Sequence, residues 1–526
     1  MKALALLLLL AAPASAQEET FEEKIEVSVV NLEVFITDKK GVPIPDLRRE
    51  DFEVLEDGKP VEITNFYAEK GAKEGTQSPS PSVRAVDQRL SLVVFVDDVN
   101  LEPQNRNRIL GRVRELLPGQ LSPGDQVMVV RFNGSLDVLQ PFTGDIQQAA
   151  ADLEGLEKLS SDLRRREETR DMAAFQAIEA VQAMGGWETV ESIIKQYAAT
   201  ESALVRGALE GLDQVVGWIA SLPGRKAILY VSDGIPAVPG EDLYLWASTR
   251  SGIRTGRRVS MMDSQGFDAT KRFREVTSRA SRNRVAFYPI ETMGAHMERG
   301  TTLQENRISN RQNGLRILAE ETGGLAMLNA ADPAKALQRM ASDLSTYYSI
   351  GYRPQRPADD REHKIEVKVR RKGATVRHRR WYKDKPVDEA VADRTSATMV
   401  FGVEDNPLGA TVEIGEQIPT DEGFVVPVRV KVPIGKLFLE PKGASREGRL
   451  RLFMVASSEG KLTPVRETRL ITVTVPEAEM AAGQLKEYVH EVRIKLEKGS
   501  WTVGVGVRDE IATTTSYLQR KLEAGR

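Results

Sequence analysis

The sequence predicts an α/β fold, a doubly wound Rossmann-like sheet with a β domain on each side of it. Three observations predict it. Between residues 88 and 355 short apolar runs alternate with amphipathic helical stretches. Before residue 70 and after residue 399 the pattern changes to residue-by-residue alternation. Clusters of Gly, Pro, Asn and Asp punctuate all three regions at the spacing of strands and helices.

The first residues concern destination. Lys2 is followed by an apolar run over 3–10 and by Ala14-Ser15-Ala16 before Gln17, the pattern of a secretory signal peptide over 1–16 cleaved after Ala16. The run is shorter than the roughly 20 residues a spanning helix needs, so no transmembrane segment is expected after cleavage and the chain is expected in the periplasm or medium. With no cysteine there is no acylation site, thiol chemistry or disulfide. The 526 residues, 41% hydrophobic and 28% charged, describe several folded domains. A formal charge of -3 argues against nucleic-acid binding. The basic stretches Arg370-Arg371-Lys372 and Arg377 to Arg380 read as the wet face of a hairpin.

Residues 17–70 form a small β domain: Val30, Leu32, Val34 and Ile36 share one strand face, and Asp57-Gly58 suits a tight hairpin between 52–55 and 61–66. Residues 71–87, rich in Gly, Ser and Pro, read as a linker. The α/β domain spans 88–355. Strands are expected at 90–96, 127–132, 227–231, 285–290, 325–328 and 347–352, with a Pro-containing edge strand at 138–143. Helical spacing covers 109–117, 203–222, 268–282, 306–322 and 333–345. Residues 159–200 and 236–266 exceed what such a domain needs and read as insertions. A hairpin extension over 356–385, turning at Arg371-Lys372-Gly373, and a linker over 386–398 lead to a β-sandwich over 399–526, whose glycines Gly504 and Gly506 relieve crowding inside a strand. Tyr347, Tyr348 and Tyr352 read as core.

Ligands bind open α/β sheets at the carboxyl ends of the strands. Two acidic ends stand out, Val96-Asp97-Asp98-Val99-Asn100 and Val231-Ser232-Asp233-Gly234. A strand running into Asp and a later strand ending in Ser-Asp-Gly resemble the von Willebrand factor A domain. With 52–58, the approach Pro223-Gly224-Arg225-Lys226 and the segment 347–354, the chain is similar to the bacterial VWFA-related family described chiefly from acidobacteria. The resemblance implies a divalent metal site (Mg, Mn or Ca) that takes a partner's carboxylate, with Asp97 and Asp233 matching its two aspartates. Its two serine positions fall on Val99 and Leu101, which offer no oxygen to a hard cation. Asp98, Asn100 and Glu102 in a shifted loop, and Thr200 or Ser202 from another, are the substitutes. The alternative is that Asp97 and Asp98 cap the following helix or stay solvated at the sheet edge, while Asp233-Gly234 turns the chain.

No other catalytic pattern is present. The four histidines, His296, His363, His378 and His490, lie far apart with no zinc-type spacing, and there is no nucleophile elbow or phosphate-binding loop. The expectation is an exported, non-enzymatic protein-binding or scaffolding protein with a degenerate metal-dependent adhesion site. It would contact an unidentified protein or envelope component through Asp97, Asp98, Asn100 and Asp233, with the two insertions as rim. The alternatives are a metal-assisted hydrolase at the same edge and a purely structural component of an envelope assembly.

Overall fold

The computed structural model describes residues 29–69, 89–119, 121–159, 172–173, 175–176, 179–180, 187–250, 261–291, 302–356, 359, 361–458 and 465–525. The expected signal peptide and the 71–87 linker lie outside the described residues, as does most of 159–186.

The chain is mixed α/β with several sheets. It begins with β1 (Val30–Thr37), β2 (Phe52–Glu56), β3 (Lys59–Val61) and β4 (Ile63–Glu69). The expected turn joins β2 to β3, with Asp57 and Gly58 at φ 50° and 77°. The central unit follows, with β5 (Leu90–Asp97), α1 (Pro103–Leu116), β6 (Gln126–Phe132), β7 (Leu136–Thr143), α2 (Ile146–Glu157) and α3 (Trp187–Ile219). It continues through β8 (Arg225–Val231), α4 (Glu241–Arg250), α5 (Thr270–Arg282), β9 (Val285–Ile290), α6 (Thr302–Thr322) and α7 (Pro333–Ser345).

The central sheet runs β7-β6-β5-β8-β9, parallel except for β7 at its edge. Pro141 sits on that edge strand, where a missing N–H costs least. The expected strand at 325–328 contributes only a parallel bridge between Ile290 and Met327. Every residue of β5 is buried because helices cover both faces. Val93 and Phe95 face α3, α5 and α6, whereas Leu92, Val94 and Val96 face α1, α2 and α7. The period of two thus splits one apolar run between two cores.

Beyond α7 lie β10 (Tyr347–Tyr352), β11 (Glu362–Val369), β12 (Thr375–Arg377), β13 (Trp381–Lys383) and α8 (Val387–Phe401). These strands correct the expected boundaries. β10 belongs to a sheet of order β12-β1-β10-β4, and β11 to a second of order β13-β11-β2-β3. Residues 17–70 are therefore not a domain by themselves. Their strands and those of 347–383 build one sandwich around Val30, Leu32, Val34, Phe52, Tyr348, Ile350, Tyr352 and Ile365, and the central unit interrupts it. Tyr348 and Tyr352 are core as expected, but of this sandwich, whereas Tyr347 is buried on the opposite strand face against the Arg225 guanidinium. The expected hairpin about Arg371-Lys372-Gly373 is instead a crossover, because β11 pairs with β2 and β12 pairs with β1 in the other sheet.

Arg377 and Arg379 are not a wet face. Arg377 reaches Asp343 on α7 at 2.5 Å, and buried Arg379 donates to the backbone oxygens of Asn31 and Ser281. Glu33 on β1 pairs with Arg284 at 3.2 Å and Arg225 at 3.6 Å, at the amino-terminal ends of β9 and β8. Burial works against its charge, but those two guanidiniums outweigh it and hold the carboxyl below the usual range. The sandwich is thereby pinned to the amino-terminal edge of the central sheet, which leaves the carboxyl edge to other elements.

The expected linker 386–398 is α8, packed on the C-terminal sandwich through Thr395 and Met399. A Cβ at Gly504 would lie 2.8 Å from Met399 Cβ, and one at Gly506 2.3 Å from Thr395 Oγ1. These glycines let a helix close on the strand. The sandwich consists of β14 (Thr411–Ile414), β15 (Ile418–Thr420), β16 (Gly423–Pro433), β17 (Glu440–Lys442), β18 (Ser445–Ser458), β19 (Val465–Pro476), β20 (Glu487–Leu496), β21 (Gly499–Asp509) and β22 (Thr515–Ala524). Its two antiparallel sheets enclose Val426, Val428, Leu452, Met454, Val503 and Val505.

Candidate functional site

The loops after β5 and β8 meet at the carboxyl edge of the central sheet. Asp97 ends β5, and its Oδ1 accepts the Asn100 N–H at 3.2 Å. Its Oδ2 accepts Asn100 Nδ2 at 2.9 Å, Ser232 Oγ at 3.3 Å and the Tyr230 hydroxyl. Asp98 points the other way, onto Arg106 at 2.9 Å and Arg131 at 2.7 Å. The second loop locks onto the first, since the Asp233 N–H donates to Asn100 O at 2.8 Å.

Asp233 caps a helix from outside its own chain segment. The N-cap residue of α1, Glu102, supplies no side-chain cap, and Asp233 Oδ2 accepts its N–H at 2.8 Å. Asn105 Nδ2 bonds both Asp233 oxygens, at 3.0 and 2.9 Å. A carboxylate at a helix amino terminus satisfies an orphan donor and meets the positive end of the helix dipole. The sequence alternative has Asp97 and Asp98 capping this helix or solvated, and Asp233-Gly234 turning the chain; the cap comes instead from Asp233, while Asp97 and Asp98 are buried on other partners.

Glu291, immediately after β9, adds a fourth buried carboxylate, which accepts Gln312 Nε2 at 3.0 Å and the Asn329 N–H at 3.1 Å. Sequence reasoning missed it, although the rule that singled out Asp97 and Asp233, an acidic residue ending an apolar strand, applies to it equally. Asn105, Asn310, Arg311 and Gln312 were also missed. They are buried polar residues on helices, and nothing in their local sequence marks which face turns inward.

Asp97, Asp98, Asn100 and Asp233 are 0, 3, 7 and 2% exposed. This corrects their expected role as partner contacts, because residues so deep hold the loops and do not touch a docking surface. Thr200 and Ser202 do not join them. Thr200 is an exposed residue of α3 whose hydroxyl donates to Gln196 O at 3.0 Å, and Ser202 is half-buried on the same helix. Nor do the residues present fit a hard cation. Val99 and Leu101 are packed into the cores on opposite faces of the sheet, and the oxygens of Asp97 and Asp233 accept N–H and O–H donors from five residues.

Burial pushes Asp97 up from the ordinary carboxylate range against its hydrogen bonds from Tyr230 and Asn100. Burial likewise raises Asp233 to about 7, against the bonds from Asn105 and Glu102. A carboxyl whose folded pKa is raised binds its proton more tightly in the folded state. Its stabilisation is complete below the unfolded value near 3.8 and is lost as pH rises through about 7. Wild-type protein should therefore lose up to about 4 kcal/mol between pH 4 and 8 that Asp233→Asn does not lose. Denaturant titrations of both proteins across that range check this, and parallel curves would refute it.

The two expected insertions meet above this edge. At about 1.5 Å per residue the 33-residue α3 is roughly 50 Å long, whereas the eight residues of β5 extend about 26 Å. Its second half, from Val205 to Ile219, lies in the core against the sheet. Its first half places Val190, Ile194 and Ala198 against Leu243, Tyr244 and Ala247 of α4, a separate small core. Glu201 Oε2 ties the two by accepting the Gly240 N–H at 3.0 Å. No helix among the described residues is long and apolar enough to cross a membrane.

No family model matches the chain, and no curated protein matches it. Among solved structures it is similar to an aerotolerance-related membrane protein from Bacteroides fragilis, at 10% identity and TM-score 0.24, covering 48% of this chain and 98% of that one. It is also similar to a von Willebrand factor type A structure from Catenulispora acidiphila, at 10% identity and TM-score 0.23, covering 83% of this chain and 66% of that one. Strand order and burial, rather than this likeness, define the architecture described above.

Proposed function

We propose that the chain is an exported, non-enzymatic protein-binding or scaffolding protein whose doubly wound, von Willebrand A-like unit carries a degenerate adhesion site. The partner docks on the helical unit of the two insertions, not on the strand ends beneath. One observation carries this reading. The carboxylates of the sheet edge are sealed by internal donors, while Met172, Phe175 and Met262, all within the insertions, are 57, 55 and 73% exposed. Exposed large apolar side chains on segments the core does not require are a usual mark of a contact surface. The metal-assisted hydrolase reading has less support, since the carboxylates that could act as base at this edge are taken up by internal donors.

Photo-crosslinking in the producing cells tests it, with the reactive residue placed at Met262 or, on the far sandwich, at Leu485. A partner adduct from position 262 that falls ~10-fold or more when Met172 and Phe175 are replaced by serine is the expected result. Adducts from position 485 alone would overturn it in favour of a structural envelope-assembly role.

A further inference from the structure

The C-terminal sandwich treats the two edges of its larger sheet differently. At β22 the outward backbone groups are taken one after another by residues 404–417. Tyr517 donates its N–H to Asp405 O at 2.6 Å and accepts the Asp405 N–H at 3.1 Å, and the Gln519 N–H donates to Glu404 Oε1 at 2.7 Å. Gln417 accepts the Gly525 N–H at 2.8 Å and donates to Glu523 O at 2.7 Å. An edge covered in this way cannot add a strand.

β19, at the opposite edge of the same sheet, has no such cover. It pairs with β18 alone over Val465–Pro476, and among the described residues nothing else bonds its backbone. Residues along it therefore turn N–H and C=O groups outward in alternation. Open edges are usually blunted by charge, as β20 is by Glu487, Glu491, Arg493 and Lys495, all exposed. β19 carries charge only at Arg466, Glu467 and Arg469. From Leu470 to Val475 it reads Leu-Ile-Thr-Val-Thr-Val, β-branched at every position after the first, with no charge, Pro or Gly. That composition favours strand addition. Ile471, Val473 and Val475 face the interior of the sandwich, whereas Thr468, Leu470, Thr472 and Thr474 face outward. α8 covers the outer face at Phe453 and Tyr517 but leaves Leu470 62% exposed.

We propose that β19 pairs antiparallel with the β19 of a second copy of this chain, about a two-fold axis through Leu470. A second copy is the occupant because the strand is complementary to itself. Leu470 is the midpoint of 465–475, so an axis there pairs the whole edge short of Pro476, which has no N–H to give. On the outer row it sets Leu470 against the partner's Leu470, Thr468 against the partner's Thr472 and Arg466 against the partner's Thr474. On the inner row Glu467 meets the partner's Val473, and Arg469 the partner's Ile471. No like charges face each other, and the exposed leucine is buried by its own copy. Moving the axis one residue toward Arg469 would set that guanidinium against itself, which fixes the register by charge as well as by length. A contact of the same patch with itself closes at a dimer and joins two five-stranded sheets into one. The insertions take no part, so this contact stands apart from the docking surface proposed above.

The test is sedimentation velocity of the full-length protein beside variants at exposed positions of β19, each checked for folding by circular dichroism. The wild type should form a dimer as its concentration rises, weakened at least ~10-fold in Leu470→Lys and in Leu470→Glu, each of which places like charges across the axis. An equimolar mixture of those two variants should recover the dimer. The chain has no cysteine, so a single introduced thiol reports the register. Under mild oxidation Leu470→Cys should cross-link, because facing Cα atoms lie about 4.5–5.5 Å apart. Thr474→Cys, whose two copies would lie roughly 27 Å apart, should not. A wild type that stays monomeric at every soluble concentration would overturn the proposal and leave the edge to an extended strand of another protein. A dimer undiminished in Leu470→Lys, or cross-linking in Thr474→Cys and not in Leu470→Cys, would overturn it too.

Discussion

Asp98→Ala should destabilise the central unit by about 3–5 kcal/mol, the cost of removing one partner from a buried ion pair. The carboxylate is 2% exposed and joins Arg106, whose side chain is 0% exposed, to Arg131. Arg106 stands on α1 and Arg131 on β6, so a residue at the end of β5 ties the first helix to the neighbouring strand. Without it a guanidinium would stay buried with only neutral acceptors, the backbone oxygens of Glu157 and Leu159 and the amide of Asn107. Urea denaturation measures the loss, with buried Trp218 reporting on this unit. A change below about 1 kcal/mol would mean that water reaches Arg106.

Gly314→Ala should cost as much or more. A Cβ at this position of α6 would lie 2.1 Å from the backbone oxygen of Ile235 and 2.7 Å from Phe273 Cζ. Both neighbours are buried, and backbone cannot yield as the far end of a flexible side chain can. Overpacking of this kind costs about 1–3 kcal/mol where side chains can adjust, and here the helix or the loop must move. That loop carries Asp233, so the cap on α1 should loosen with it. The matched control is Gly111→Ala on α1, where a Cβ meets nothing within 4 Å and the substitution should stabilise by about 0.5–1 kcal/mol. Similar losses in both variants would mean that helix propensity, not the close approach to Ile235, governs position 314.

The carboxyl edge was only partly legible. An apolar run ending in Asp identified Asp97 and Asp233 because a strand buried on both faces leaves a polar residue nowhere to sit except its end. The same reasoning did not foretell that Asn100, Asn105, Tyr230 and Ser232 would take up their oxygens. That depends on how α1 and β8 approach, which no local pattern records. Thr200 was misjudged as a ligand because a helix of ordinary length was expected, whereas α3 carries it up into the insertion unit. Val99, which offers a cation no oxygen, has its side chain in the core.

What the sequence determined by itself was local: which segments become strand or helix, where turns fall, and which residues are apolar enough to be core. These follow from side-chain periodicity and backbone preferences that act within a few residues. Tertiary structure alone decided partnership. Val30 opposes Tyr352, and Tyr347 opposes Glu69, across some three hundred residues of intervening chain. Several antiparallel pairings satisfy the same two-residue alternation, and only the packing of both sheets around Tyr348 and Phe52 selects one. The same packing brings His363 Nδ1 within 2.7 Å of Asp57, a contact that exists only once the two ends of the sandwich have met.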